Sequence, residues 1–87
     1  MKKIINGRLY DTEKADVVTA SVVTVDRSKE FREILYRTKK NRYFLYKNLA
    51  GTEILKPMTD DEAYSYLCEH DPDEAIKNFP WKEVEEA

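Results

Sequence analysis

The sequence predicts a single small α+β domain over residues 1–87, with helices packed on one face of a small antiparallel sheet in the order roughly ββα-βββ-αα. Three observations carry this. Two runs of aliphatic and aromatic residues, Ile34-Leu35-Tyr36 and Tyr43-Phe44-Leu45-Tyr46, flank a short basic turn, which is the signature of a β-hairpin. Two helix starts follow near the C-terminus, Thr59-Asp60-Asp61-Glu62 and Asp71-Pro72-Asp73-Glu74, each with a capping side chain and acidic residues in the first turn. Composition agrees: 41% hydrophobic and 37% charged residues with only 2 Gly and 3 Pro describe a chain that folds around one modest core.

Taken in order, Lys3-Ile4-Ile5 and Arg8-Leu9-Tyr10 read as short strands joined by Asn6-Gly7, a dipeptide that supplies the positive φ angles of a two-residue hairpin turn. Asp11 or Thr12 then reads as an N-cap, and with Glu13 in the first turn it predicts a helix to about Ala20, with Ala15 and Val18 on its buried stripe. Against that stand the β-branched pairs Val17-Val18 and Val22-Val23, which favour a strand. A polar connection at residues 26–29 leads into the hairpin, with arms at about residues 31–38 and 42–47. Asn41 is suited to its turn because Asn accepts a left-handed backbone at low cost. A second turn at residues 48–52 returns the chain as a third strand over residues 53–56, which Pro57 is expected to close. The first C-terminal helix buries Ala63, Tyr66 and Leu67. The second presents Ala75, Ile76 and Phe79 and breaks at Pro80, leaving Trp81 and Val84 to pack the tail back onto the body.

These pieces together resemble a set of short proteins encoded by phages and integrative elements of Gram-positive bacteria. The resemblance rests on Lys3-Ile4-Ile5-Asn6-Gly7, Tyr10-Asp11-Thr12-Glu13-Lys14-Ala15, Leu35-Tyr36-Arg37-Thr38-Lys39-Lys40 with Tyr43-Phe44-Leu45-Tyr46, and Ile54 to Pro57 with Thr59 and Glu62-Ala63. It implies a small binding protein of a mobile element, since some members lie beside anti-CRISPR and other anti-defence genes or are candidates for that role. It carries over no catalytic residue. Asn41 stands here where the pattern has Gly, and the loop at residues 48–52 is shorter than the Gly-rich insertion of relatives.

Charge is distributed unevenly. Residues 32–47 hold Arg32, Arg37, Lys39, Lys40, Arg42 and Lys47 against Glu33 alone, whereas residues 59–87 hold ten carboxylates against Lys77 and Lys82. The expected function is non-enzymatic binding by protein–protein contact, with a host or phage protein complex as partner. Tyr36, Tyr43, Tyr46 and Trp81 are its candidate anchors, and Asp60, Asp61, Asp73 and Glu74 its candidate charge contacts. The alternative is a nucleic-acid-binding module that neutralises phosphates with Arg37, Lys39, Lys40, Arg42 and Lys47. Each feature also has a plainer account: strand aromatics fill a core, first-turn acids answer the helix dipole, and Trp81 lids a small core.

An enzyme is not expected, because no nucleophile–base pair, phosphate loop or metal spacing is found. Cys68 and His70 are two apart on a helix and point in different directions, so Cys68 reads as a buried thiol. No cofactor is expected. No apolar run reaches signal-peptide or membrane-spanning length, so a cytoplasmic location without membrane contact is the expectation, and an exposed edge of the meander offers a place for a homodimer.

Overall fold

A computed structural model describes residues 1–26 and 29–87. The chain has six strands and two helices among these residues: β1 (Lys2–Ile5), β2 (Arg8–Asp11), β3 (Asp16–Asp26), β4 (Lys29–Arg37), β5 (Tyr43–Leu49), β6 (Thr52–Met58), α1 (Asp60–His70) and α2 (Pro72–Asn78). The class is α+β. Strands β3-β4-β5-β6 form an antiparallel four-stranded sheet in chain order, and β1-β2 form a separate hairpin.

Alternation along β4 and β5 sends neighbouring side chains to opposite faces of the larger sheet, and both faces are covered. Leu35, Tyr43 and Leu45 meet Ala63 and Leu67 of α1 and Ala75 and Phe79 at the end of α2. On the other face Tyr36, Phe44 and Leu55 meet Tyr10 of the β1-β2 hairpin. The sheet is therefore the middle of three layers. That explains why its central strands read as nearly continuous apolar runs.

Both helices begin as their sequences predict. Thr59 Oγ1 accepts the Glu62 N–H at 3.1 Å while the Glu62 carboxylate accepts the Thr59 N–H at 3.1 Å, a complete capping box. Asp71 ends α1 and starts α2: its N–H donates to the Leu67 carbonyl at 2.7 Å, and its Oδ1 accepts the Glu74 N–H at 3.4 Å. Its Oδ2 accepts Thr19 Oγ1 at 3.0 Å, which ties the helical layer to β3.

The helix expected at residues 11–20 is instead a turn followed by the start of β3. Asp11 Oδ1 does accept a backbone N–H, that of Glu13 at 3.0 Å, but the local bond makes an Asx turn and not a helix cap. The β-branched residues then decide for a strand. A register shift between Val17 and Thr19 gives β3 one extra residue, and Val18 packs against the helix-side core. The polar connection expected at residues 26–29 falls partly outside the described residues. Pro57 does not close β6, which runs on to Met58; an edge strand tolerates the missing N–H. Ile76, Trp81 and Val84, expected to pack inward, are exposed.

The β5–β6 turn is Ala50-Gly51, with both residues at positive φ (53° and 96°). Ala50 lacks the side-chain hydrogen bonding that lets Asn accept this region, so Ala50→Gly is expected to stabilise the protein by about 0.5–1 kcal/mol, read from the urea midpoint.

Candidate functional site

The β4–β5 turn is fixed by its own backbone. The Thr38 N–H donates to the Arg42 carbonyl at 2.7 Å, the Asn41 N–H donates to the Thr38 carbonyl at 2.9 Å, and Thr38 Oγ1 accepts the Arg42 N–H at 3.1 Å. Asn41 sits at φ 61°, the conformation its identity suggested. This tight turn holds Lys39, Lys40 and Arg42 out in water.

Beside it lies the Asn6-Gly7 turn of the first hairpin, with Arg8, and the Asx turn that carries Lys14. The three turns enclose a groove of about 820 Å³ whose walls include Arg8, Lys14, Lys39, Lys40 and Arg42. Three carboxylates, Asp11, Glu13 and Asp16, also line it. Asp11 is 5% exposed, and its Oδ2 has no hydrogen-bond partner among the described residues. Positive charge exceeds negative along the groove, and the cations come from three separate stretches of chain.

The concave surface continues around the turn. A second hollow of about 480 Å³ shares Arg8, Lys40 and Arg42 with the groove, and shares Asn41, Tyr43 and Asp60 with a third of about 330 Å³. Lys77 and Trp81 line that third hollow. Trp81 is 69% exposed and its ring meets Phe79 edge-on with centroids 5.5 Å apart, so the residue is open to a ligand.

The other expected contacts are placed differently. Tyr36 and Tyr43 are buried, at 8% and 4% exposure, and cannot present a ring to a partner. Tyr36 stacks on Phe44 at 5.0 Å and Tyr43 on Phe79 at 5.4 Å, and burial pushes both phenols up from their ordinary value. Tyr46 is half-buried, with its hydroxyl donating to Glu53 at 3.2 Å. Arg37 faces inward and donates to Asn78 Oδ1 at 2.9 Å, while the Asn78 amide donates to the Glu74 carboxylate at 2.9 Å. Arg37 and Asn78 thus join α2 to the sheet, and Glu74 holds the Asn78 amide in place. Lys47 lies farther along β5, opposite Glu33 and Ile54, away from the turn.

Asp61 is 3.5 Å from Lys82, and among the described residues no ion pair links Lys39, Lys40 or Arg42 to the acidic C-terminal part. Cys68 is exposed, not buried, and His70 lies over the Tyr66 ring at 4.2 Å. Arg8 and Lys14, which complete the groove, were not among the expected contacts; only tertiary structure brings them to the turn.

Burial and the Glu33 carboxylate push the Tyr66 phenol up to about 12. A raised tyrosine pKa means that the folded state favours the neutral phenol. The resulting stability is complete below about pH 10, where an unfolded tyrosine ionises, and is lost as pH rises toward the folded value. Tyr66→Phe is expected to flatten this alkaline limb, measured by thermal melts across the same pH range.

Set against known proteins, the chain finds no matching family model and no significant match among curated proteins or solved structures. No described helix is long and apolar enough to cross a membrane.

Proposed function

We propose that this is a non-enzymatic binding protein whose ligand is a single-stranded nucleic acid. The observation that carries the reading is the convergence of Arg8, Lys14, Lys39, Lys40 and Arg42 on one groove. Such a groove tracks a phosphodiester backbone by releasing its counterions. The strand passes from the groove over the Asn41 turn, where Trp81 offers a face on which a base stacks. Trp81 replaces the strand tyrosines as the stacking group, because Tyr36 and Tyr43 belong to the core.

The test is fluorescence anisotropy of labelled single-stranded DNA, single-stranded RNA and duplex DNA at about 50 mM and about 200 mM salt. A single strand bound more tightly than the duplex, with affinity falling steeply as salt rises, supports the reading. Equal and negligible binding of all three at low salt would end it.

A second reading, a contact inhibitor of a defence complex as the sequence resemblance implies, is favoured by one observation. A tryptophan as open as Trp81 is also the residue type that anchors protein interfaces. In that case a purified partner complex would retain the protein after nuclease treatment, and Trp81→Ala would release it.

A further inference from the structure

Resting on the single-strand reading above, we propose that the hollow of about 330 Å³ between the Asn41 turn and Trp81 takes a guanine base, and that Asp60 is the residue that selects it. The lining comes from separate parts of the chain: Arg37 at the end of β4, Asn41 and Tyr43 across the turn, Asp60 at the start of α1, and Lys77 with Trp81 at and beyond the end of α2. Tyr43 and Phe79 are buried beneath it, and Trp81 is the aromatic residue of the lining that stays open.

The polar groups of the hollow divide into those already engaged and those free to meet a ligand. Asn78 is engaged throughout: its Oδ1 accepts from Arg37 and Tyr43, and its Nδ2 donates to the Glu74 carbonyl and carboxylate. Among the described residues no ion pair engages Asp60 or Lys77. Arg37 donates to Asn78 through one Nη, and a guanidinium carries five N–H groups. Burial is the main reason the Tyr43 phenol is pushed up, and the charges of Arg37 and Asp60 act on it in opposite senses, which brings both to this hollow.

A carboxylate on the path of a polyanion has a defined consequence. Asp60 lines the second hollow as well as the third, so it stands where the strand leaves the cations of the groove. Like charge keeps a phosphate away from it, and the group placed against it must instead carry N–H donors, which a base edge does. The dipole of α1 does not by itself explain the position. Asp60, Asp61 and Glu62 all serve the first turn, yet Asp61 and Glu62 lie outside the lining of this hollow and Asp60 lies in it.

The chemistry of the edges then chooses the base. An ionised carboxylate only accepts, through two oxygens side by side. Guanine offers N1–H and its 2-amino group side by side, one donor for each oxygen. Adenine and cytosine set a ring-nitrogen lone pair beside their amino group, and thymine and uracil flank one N–H with two carbonyls, so each turns a lone pair toward a carboxylate oxygen. Guanine O6 and N7 accept from cations, which Lys77 and the remaining Arg37 N–H groups supply. Stacking on Trp81 covers the contact from water, where a mismatched lone pair costs most.

The test is anisotropy on thymidine strands of about ten nucleotides, at about 50 mM salt, with one central base replaced by guanine, adenine, cytosine or hypoxanthine. The guanine strand should bind at least about tenfold more tightly than the all-thymidine, adenine and cytosine strands. It should also quench the fluorescence of Trp81, the single tryptophan of the chain. Hypoxanthine keeps O6, N7 and N1–H but lacks the 2-amino group, so it should lose most of the preference. Asp60→Asn, which turns one acceptor into a donor, should bring the guanine-to-thymidine ratio to within about twofold of unity, whereas a purely structural role would leave that ratio where it was. Equal binding of all the strands with a steep salt dependence overturns the proposal and leaves the single-strand reading standing; no binding of any strand ends both. Hypoxanthine bound as tightly as guanine, or a guanine preference that survives Asp60→Asn, overturns the role of Asp60.

Discussion

Phe44→Ala is expected to lower stability by about 3–5 kcal/mol, the usual cost of truncating a fully buried phenylalanine. Phe44 is 0% exposed and packs between Tyr10, edge-on at 5.4 Å, and Tyr36, stacked at 5.0 Å. These rings hold the β1-β2 hairpin to the sheet, and Leu55 closes the cluster. A domain of this size has about 4–13 kcal/mol in total, so the loss takes a large part of it. The damage should not be uniform. The helix-side core around Leu35, Leu67 and Phe79 contains no atom of Phe44, so β1-β2 should open before α1 and α2 do. Hydrogen exchange separates the cases: early loss of protection in residues 2–11 is expected, and simultaneous loss across α1 would contradict the layered account. Because Arg8 sits on the hairpin, this variant should also weaken ligand binding without altering a single charge.

That coupling also shows what the sequence made legible and what it did not. The β4–β5 hairpin and both helices were readable because their signals are local. Asn41 needs only its own φ angle, and Thr59 with Glu62, or Asp71 with Pro72, needs only one turn of chain. The segment at residues 11–20 misled because Asp11 performs the same chemistry in an Asx turn as in a helix cap, and only the tertiary site of Val17 and Val18 separates the two outcomes. Tyr36 and Tyr43 alternate as strand residues should, and an alternating strand normally has one wet face. Here the first hairpin covers the face the helices leave free, so both rings are buried. The groove was half legible: Lys39, Lys40 and Arg42 are neighbours in sequence, but Arg8 and Lys14 join them only through that covering hairpin.

Charge reversal at Lys39 and Lys40 together is the change expected to affect binding most. If five cations each neutralise one phosphate of a single strand, log affinity should fall with log salt at a slope of about −3.5, and removing two should leave about −2. Reversal also adds repulsion, so at low salt the affinity should drop by well over about tenfold, which is 1.4 kcal/mol. Lys47→Glu is the positional control: it makes one such reversal on β5, away from the turn, and should alter neither affinity nor slope much, whereas either turn lysine reversed singly should alter both. Trp81→Ala separates stacking from charge. It should cost about 1–3 kcal/mol of binding while leaving the salt slope unchanged, since an indole releases no counterion. If Lys47→Glu weakened binding as strongly as the turn variant, the ligand would be answering net charge and not the groove. If Trp81→Ala abolished capture of a protein partner while both charge variants retained it, the contact-inhibitor reading would replace the nucleic-acid one.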